Sequence, residues 1–247
     1  VHPGRGDRVA GEGARQAGIS IPGGELAQVR EMIRGERQGF AFDLVGMAVG
    51  LVPLDKVLVG RDLSEGDVLV GLASSGIHSN GLTLARRVLF EELGLGVGDT
   101  PLELEGRTVG EELLEPTRIY VPEVLEMMDA GLHLKALFHI TGDGLLNLCR
   151  IEAPIGWRIE RLPQSPPIFG LIQRGGRVSE EEMCRVFNLG VGFCVAVPEM
   201  EAEAVISIAA RRGTEAWRIG RAVEDRGHRV FLEEKGLVSR EKEFYRE

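Results

Sequence analysis

Cysteine is scarce in this chain, and the three present, Cys149, Cys184 and Cys194, form no CxxC pair. Their odd number and their scatter through apolar stretches exclude a disulfide framework and argue against a zinc site; free buried thiols in a cytoplasmic protein are expected. Long apolar runs are missing too. No stretch approaches the roughly 20 apolar residues that a membrane-spanning helix needs, and Val1-His2-Pro3-Gly4 has none of the features of a secretory signal. Positive charge is in deficit: 29 Lys and Arg stand against 38 Asp and Glu, a net −9, which argues against a nucleic-acid or anionic-membrane partner. No solenoid repeat or low-complexity segment is found. The remainder is an ordinary globular composition, 43% apolar and 27% charged over 247 residues, enough for one large domain or two small ones. Because the chain opens on Val1 rather than Met, it is expected to be a fragment or to lack its natural start.

The most informative stretch runs from Asp67 to Arg86. Val68 to Ala73 is a short apolar run after a Glu65-Gly66-Asp67 turn, which predicts a buried strand. Leu82, Ala85, Val88, Leu89 and Leu93 recur at helical spacing, which predicts a helix ending at Gly94. Between them lie Ser74, Ser75, Gly76, Ile77, His78, Ser79, Asn80 and Gly81. Ser79 or Asn80 is expected to cap the helix. Its free first-turn N–H groups, with the permissive glycines, suit a phosphate or another anion. A plain strand-to-helix turn needs one serine and one glycine; this loop carries more, and ligand binding is the favoured reading.

The rest of the chain supplies supporting elements. Arg8 to Ala17 is expected to be helical and to end at Gly18, followed by an extended Ile19 to Pro22. Gly23-Gly24-Glu25 then puts a carboxylate on a tight turn, where it either holds Mg²⁺ beside a nucleotide phosphate or is simply solvated. Leu26 to Gln38 is expected to be a loop with a short helix, and Phe42 to Pro53 a strand. Asp43 at its start caps a turn or points into a site. A connector, Leu54 to Ser64, marks the domain boundary. Helices are expected at Val109 to Leu114 and at Val121 to Ala130, the second with a Val124, Leu125, Met128 stripe. The strand Leu134 to Ile140 leads into Thr141-Gly142-Asp143-Gly144 and a helix Leu145 to Arg150. This repeats the strand, histidine, hydroxyl, glycine, helix order of the first loop, with His139 in the place of His78. Strands follow at Gly156 to Glu160, Phe193 to Pro198, Trp217 to Val223 and Arg229 to Leu232. Between the first two lie helices at Ile168 to Arg174 and at Ser179 to Phe187, the latter with a Ser179/Glu182 capping box. A further helix is expected at Ala202 to Arg212, and the end from Glu233 is expected to fray. The mixed order favours an α+β domain, one sheet with helices on a face.

Four motifs, Gly71-Leu72-Ala73-Ser74-Ser75-Gly76-Ile77-His78-Ser79-Asn80-Gly81, Pro116-Thr117-Arg118-Ile119-Tyr120-Val121, His139-Ile140-Thr141-Gly142 and Phe187-Asn188-Leu189-Gly190-Val191-Gly192, occur in an order and spacing that resembles the phosphoribosylformylglycinamidine cyclo-ligase (AIR synthetase) family. Gly23-Gly24-Glu25 and Phe42-Asp43-Leu44-Val45-Gly46 resemble the end of that family's first domain. The resemblance implies an α+β, two-domain AIR-synthetase-like fold. Residues 1–62 would be a partial N-terminal ATP-binding and dimerisation domain that lacks its first motifs. Residues 63–236 would be a complete C-terminal α/β domain, and residues 237–247 a charged tail. It also implies a cytoplasmic homodimer that uses ATP and Mg²⁺ and acts on a small-molecule ribonucleotide. The implied reaction is ring closure of formylglycinamidine ribonucleotide to aminoimidazole ribonucleotide in purine synthesis.

The site residues implied are His78 and His139 for catalysis, and Gly23, Gly24, Glu25 and Asp43 for ATP, with Glu25 and Asp43 also at the metal. Ser74, Ser75, Gly76, Ser79, Asn80, Thr117, Thr141, Gly142, Gly144 and Asn188 would meet the substrate. Two positions depart from the family pattern: Leu26, where threonine is usual, and Asp143, where a third glycine is usual. They mark the alternatives: a kinase or synthetase of the same superfamily, such as the selenophosphate synthetase, thiamine-monophosphate kinase or hydrogenase-maturation types, or a ligand-binding remnant without catalysis.

Overall fold

The computed structural model describes residues 11–29, 32–34 and 41–247, and the chain divides into two compact units, Val1–Val57 and Leu58–Glu247. In the first unit, α1 covers residues 11–17, and Gly18 follows it at φ 66°. The expected helix start at Arg8 and much of the Leu26 to Gln38 loop lie outside the described residues. Phe42 to Pro53, expected as a strand, is not one: it pairs with no strand among the described residues. A strand needs a partner for its N–H and C=O groups and a covered face. Here Leu44, Val45, Met47 and Leu51 are all at least 80% exposed.

The second unit is built on an eight-stranded sheet in the order β2-β4-β1-β5-β3-β6-β7-β8. Its strands are β1 Val68–Ala73, β2 Ala136–His139, β3 Ile155–Ile159, β4 Val191–Val197, β5 Ala216–Glu224, β6 Val230–Leu232, β7 Leu237–Arg240 and β8 Glu243–Arg246. Pairing is antiparallel throughout except between β3 and β6. β1 lies between β4 and β5, with Val70 opposite Val195 on one side and Arg218 on the other. Its near-continuous apolar run is what a strand covered on both faces requires.

Strand side chains alternate between two cores. Leu69, Cys194, Ala196 and Ile219 join one, and Val68, Val70, Leu72, Val195 and Val197 join the other. The first core also takes residues of α2 (Leu82–Arg86), α3 (Val109–Leu113), α5 (Pro167–Gly175) and α6 (Glu180–Val186). The second takes α4 (Val121–Asp129) and α7 (Ala202–Arg211). Helices therefore cover both faces, where the sequence order suggested one.

Three local expectations change. The α4 stripe is out of phase: Leu125 and Met128 are 50% and 44% exposed, while Glu123 and Met127 are buried. A buried glutamate on the inner face disguises the period. The helix after His139 is a 3₁₀ segment, Gly144–Cys149, with Asn147 Nδ2 donating to the Gly144 carbonyl at 2.6 Å. The C-terminal residues do not fray, because β7 and β8 form a hairpin whose Leu237, Val238 and Phe244 are buried. Cys184 and Cys194 are buried free thiols and Cys149 is half-buried; burial pushes the Cys184 thiol up to about 12. Among the described residues no helix is long and apolar enough to cross a membrane.

Candidate functional site

The C-terminal end of β1 sends the chain into the Ser74–Gly81 loop, and three other segments converge on it. The first runs from Pro116 to Tyr120. Ser75 Oγ donates to the Pro116 carbonyl at 2.6 Å, Ser79 Oγ meets Thr117 Oγ1 at 3.0 Å, and Tyr120 Oη donates to the Ala73 carbonyl at 2.8 Å. The second is Asn188 to Gly192. The Asn188 amide donates to the carbonyls of Gly76 and Ile77 and accepts from the Gly190 N–H, while Ser74 N–H donates to the Gly190 carbonyl. The third is Ile140 to Gly144, where Gly142 lies against Asn80: a Cβ on Gly142 would stand 3.3 Å from the Asn80 side-chain oxygen. Ile140 N–H donates to the Gly192 carbonyl, which ties the third segment to the second.

Ser79 and Asn80 do not cap α2. Gly81 takes the cap position in the left-handed region at φ 77°, and no side chain caps the helix. A Cβ at Gly81 would overlap the Phe187 ring. Only glycine meets both demands. The helix continues as a π-helical turn, Arg87–Glu92, that buries Val88 and Leu89.

The two histidines differ. His78 is 6% exposed and adopts φ 63°. Its Nε2 accepts from the Ser75 N–H at 3.1 Å, which places the proton of the neutral ring on Nδ1. That Nδ1 is buried without a partner. Burial, with the nearby His139 and Arg118, lowers the pKa of His78 to about 4. His139 ends β2 with its side chain exposed, and partial desolvation lowers its pKa. An aromatic group joins them: the Tyr120 ring lies 6.4 Å from His78, 6.3 Å from His139 and 5.1 Å from Phe193. Burial raises the Tyr120 phenol, so it serves as a hydrogen-bond donor and not as an acid near neutrality.

The expected substrate residues thus fall into three groups. Ser74, Ser79, Asn80, Thr117, Thr141 and Gly142 keep some exposure around the loop. Ser75 and Asn188 are occupied in bracing it. Gly76 and Gly144 are buried, and a side chain at Gly144 would overlap the Cys184 carbonyl. The negative charge of Asp143 is answered by Arg150 at 2.5 Å. Gly23, Gly24, Glu25 and Asp43 belong to the first unit, where all four are exposed and Asp43 accepts the Leu44 N–H at 2.9 Å. Among the described residues no group of three or more His, Cys, Asp and Glu side chains is placed to hold a metal.

Sequence reasoning missed two features. One is an open cleft of about 690 Å³ beside Ser74, lined by Arg161, Pro166, Trp217 and Arg218 among others. These residues come from separate stretches, and no spacing announces it. The other is the relay Arg118, Thr214 and Glu123, described below.

Fold and site together define an α+β domain whose polar loops gather at the end of a central strand. Residues 64–233 match the family "AIR synthase related protein, C-terminal domain". The chain belongs to that family, as the motifs implied. It is 48% identical over 214 residues to a phosphoribosylformylglycinamidine cyclo-ligase of Methanocaldococcus jannaschii, covering 86% of this chain and 59% of that protein. With the cyclo-ligase of Methanopyrus kandleri the identity is 46%, covering 90% and 63%. With that of Thermococcus kodakarensis it is 47%, covering 89% and 61%. The chain spans about 60% of the length of these relatives. A solved thiamine-monophosphate kinase from Stenotrophomonas maltophilia superposes with a TM-score of 0.48 at 19% identity, over 72% of this chain and 54% of that one.

Proposed function

We propose that this chain is the substrate-binding part of a phosphoribosylformylglycinamidine cyclo-ligase, acting in ATP-dependent closure of the imidazole ring of aminoimidazole ribonucleotide. The observation that carries this reading is the convergence of the Ser74–Gly81, Pro116–Tyr120 and Ile140–Gly144 segments, in a chain 42–48% identical to proteins of that name. ATP, as co-substrate, supplies the phosphoryl group that turns the formyl oxygen into a leaving group. Residues 23–25 and Asp43 would contribute to its binding in the dimer that the family resemblance implies.

The work assigned to this unit is positioning and proton handling. Uncapped amides at the start of α2, with the Ser79 and Thr117 hydroxyls, would receive the ribonucleotide. As the amidine nitrogen bonds to the formyl carbon it loses a proton. His139, exposed and neutral above its lowered pKa, is the group we assign to take it. His78 is sealed and holds the Ser75 amide, so its assigned role is to shape the loop. The test is turnover by the gene product that carries this chain, given formylglycinamidine ribonucleotide, ATP and Mg²⁺, with products read by mass spectrometry. Stoichiometric ADP, phosphate and aminoimidazole ribonucleotide are expected. ATP consumption with no ring-closed product would reject the reading in favour of another member of the superfamily.

A further inference from the structure

Among the described residues, four side-chain polar atoms are buried without a hydrogen-bond partner: Ser74 Oγ, His78 Nδ1, Arg118 Nε and Glu123 Oε2. All four belong to the two segments stapled together at the site, the Ser74 loop and the stretch from Arg118 into α4. Arg118 and Glu123 are linked through one hydroxyl. Arg118 Nη1 donates to Thr214 Oγ1 at 3.1 Å, and Thr214 Oγ1 donates to Glu123 Oε1 at 2.6 Å. Thr214 and Glu123 are 1% and 3% exposed, while Arg118 keeps part of its surface open.

This is a poor way to build a brace. A buried guanidinium and carboxylate stabilise one another best in direct bidentate contact. Elsewhere in this unit Arg229 makes that contact with Asp225, through Nε and Nη2 to the two carboxylate oxygens. Arg118 has no carboxylate at ion-pair distance among the described residues, and Thr214 holds Glu123 away from it. Arg118 is therefore held by a neutral hydroxyl and not by a carboxylate in direct contact, and Thr214 lies beside the start of the loop, because the carbonyl of the next residue, Glu215, accepts the Ala73 N–H at 2.8 Å. The imidazole of His78 senses the charge of Arg118.

We propose that Arg118 is the cation that receives the phosphate of the ribonucleotide, and that Thr214 and Glu123 are positioning residues that hold its guanidinium toward the loop. The assignment rests on the function proposed above. A fixed, partly desolvated guanidinium binds a phosphate far more strongly than a mobile surface lysine does. Removing it should therefore act on the phosphate and leave the rest of the ligand alone.

Calorimetric titration tests this with two ligands, formylglycinamidine ribonucleotide and its dephosphorylated riboside, on the full 247-residue chain. The variants are Arg118→Gln, Arg118→Lys and Thr214→Val. The wild type should prefer the ribonucleotide. Arg118→Gln should lower ribonucleotide affinity by about tenfold or more and leave riboside affinity unchanged. Arg118→Lys and Thr214→Val should each keep part of the preference. Wild-type preference in Arg118→Gln, or an equal loss for both ligands, overturns the assignment and leaves the proposed function standing. If Arg118→Gln does not fold, wild-type preference in both Arg118→Lys and Thr214→Val overturns it. A wild type that binds neither ligand rejects the proposed function and this assignment with it.

Discussion

Acid should loosen this protein through one histidine. His78 is buried and neutral, and its pKa is lowered to about 4 by burial, then by His139 and Arg118. In the unfolded chain the ring titrates near 6.5. Between these values the unfolded state binds a proton that the folded state refuses, so stability falls as pH falls. From pH 7.5 to pH 5 the linkage amounts to about 2 kcal/mol. That is a substantial part of the roughly 5–15 kcal/mol that holds a domain folded. Urea unfolding of the wild type and of His78→Asn across this range isolates the effect. Asparagine tolerates the left-handed backbone at φ 63° better than most residues, and it does not titrate. The wild type should lose about 2 kcal/mol more than the variant between the two pH values. Equal pH slopes, or an NMR titration of His78 centred near 6.5, would refute the reasoning.

Two further substitutions separate bracing from binding. A Cβ at Gly192 would overlap the Tyr120 hydroxyl and stand 2.6 Å from the His78 ring, so Gly192→Ala should cost about 1–3 kcal/mol in urea unfolding; an unchanged midpoint would mean that the aromatic group repacks freely. Asn80 is partly exposed, and no hydrogen bond to the protein holds its side chain among the described residues. Asn80→Ala should shift stability by no more than about 0.5 kcal/mol while weakening ribonucleotide binding in calorimetry. Loss of stability without loss of binding would make Asn80 a structural residue.

Much of the second unit was legible because its strands are short apolar runs between turns. Val68–Ala73, Ile155–Ile159 and Val191–Val197 all lie within two or three residues of where the pattern puts them. The loops announced themselves by chemistry that a turn does not need. What escaped depended on partners distant in sequence. Phe42 to Pro53 has strand composition but no strand beside it among the described residues. Leu237 to Arg246 is a charged stretch that β6 pins to the sheet through Leu237 and Val238. Glu123 is a charge on the inner face of α4 because Thr214, 91 residues away, bonds to it. Asn188 looked like a ligand residue, yet its amide braces carbonyls more than 100 residues earlier. Local patterns carry the elements, but hydrogen bonds of this span are fixed only by the assembled sheet.

Amide chemical-shift mapping tests the central claim most directly. With formylglycinamidine ribonucleotide added to the isotopically labelled chain, the largest shifts should fall on Ser74–Gly81, Thr117–Arg118 and Thr141–Gly142. Shifts centred instead on the cleft walls around Arg161, Trp217 and Arg218, or no shifts at saturating ligand, would contradict the account.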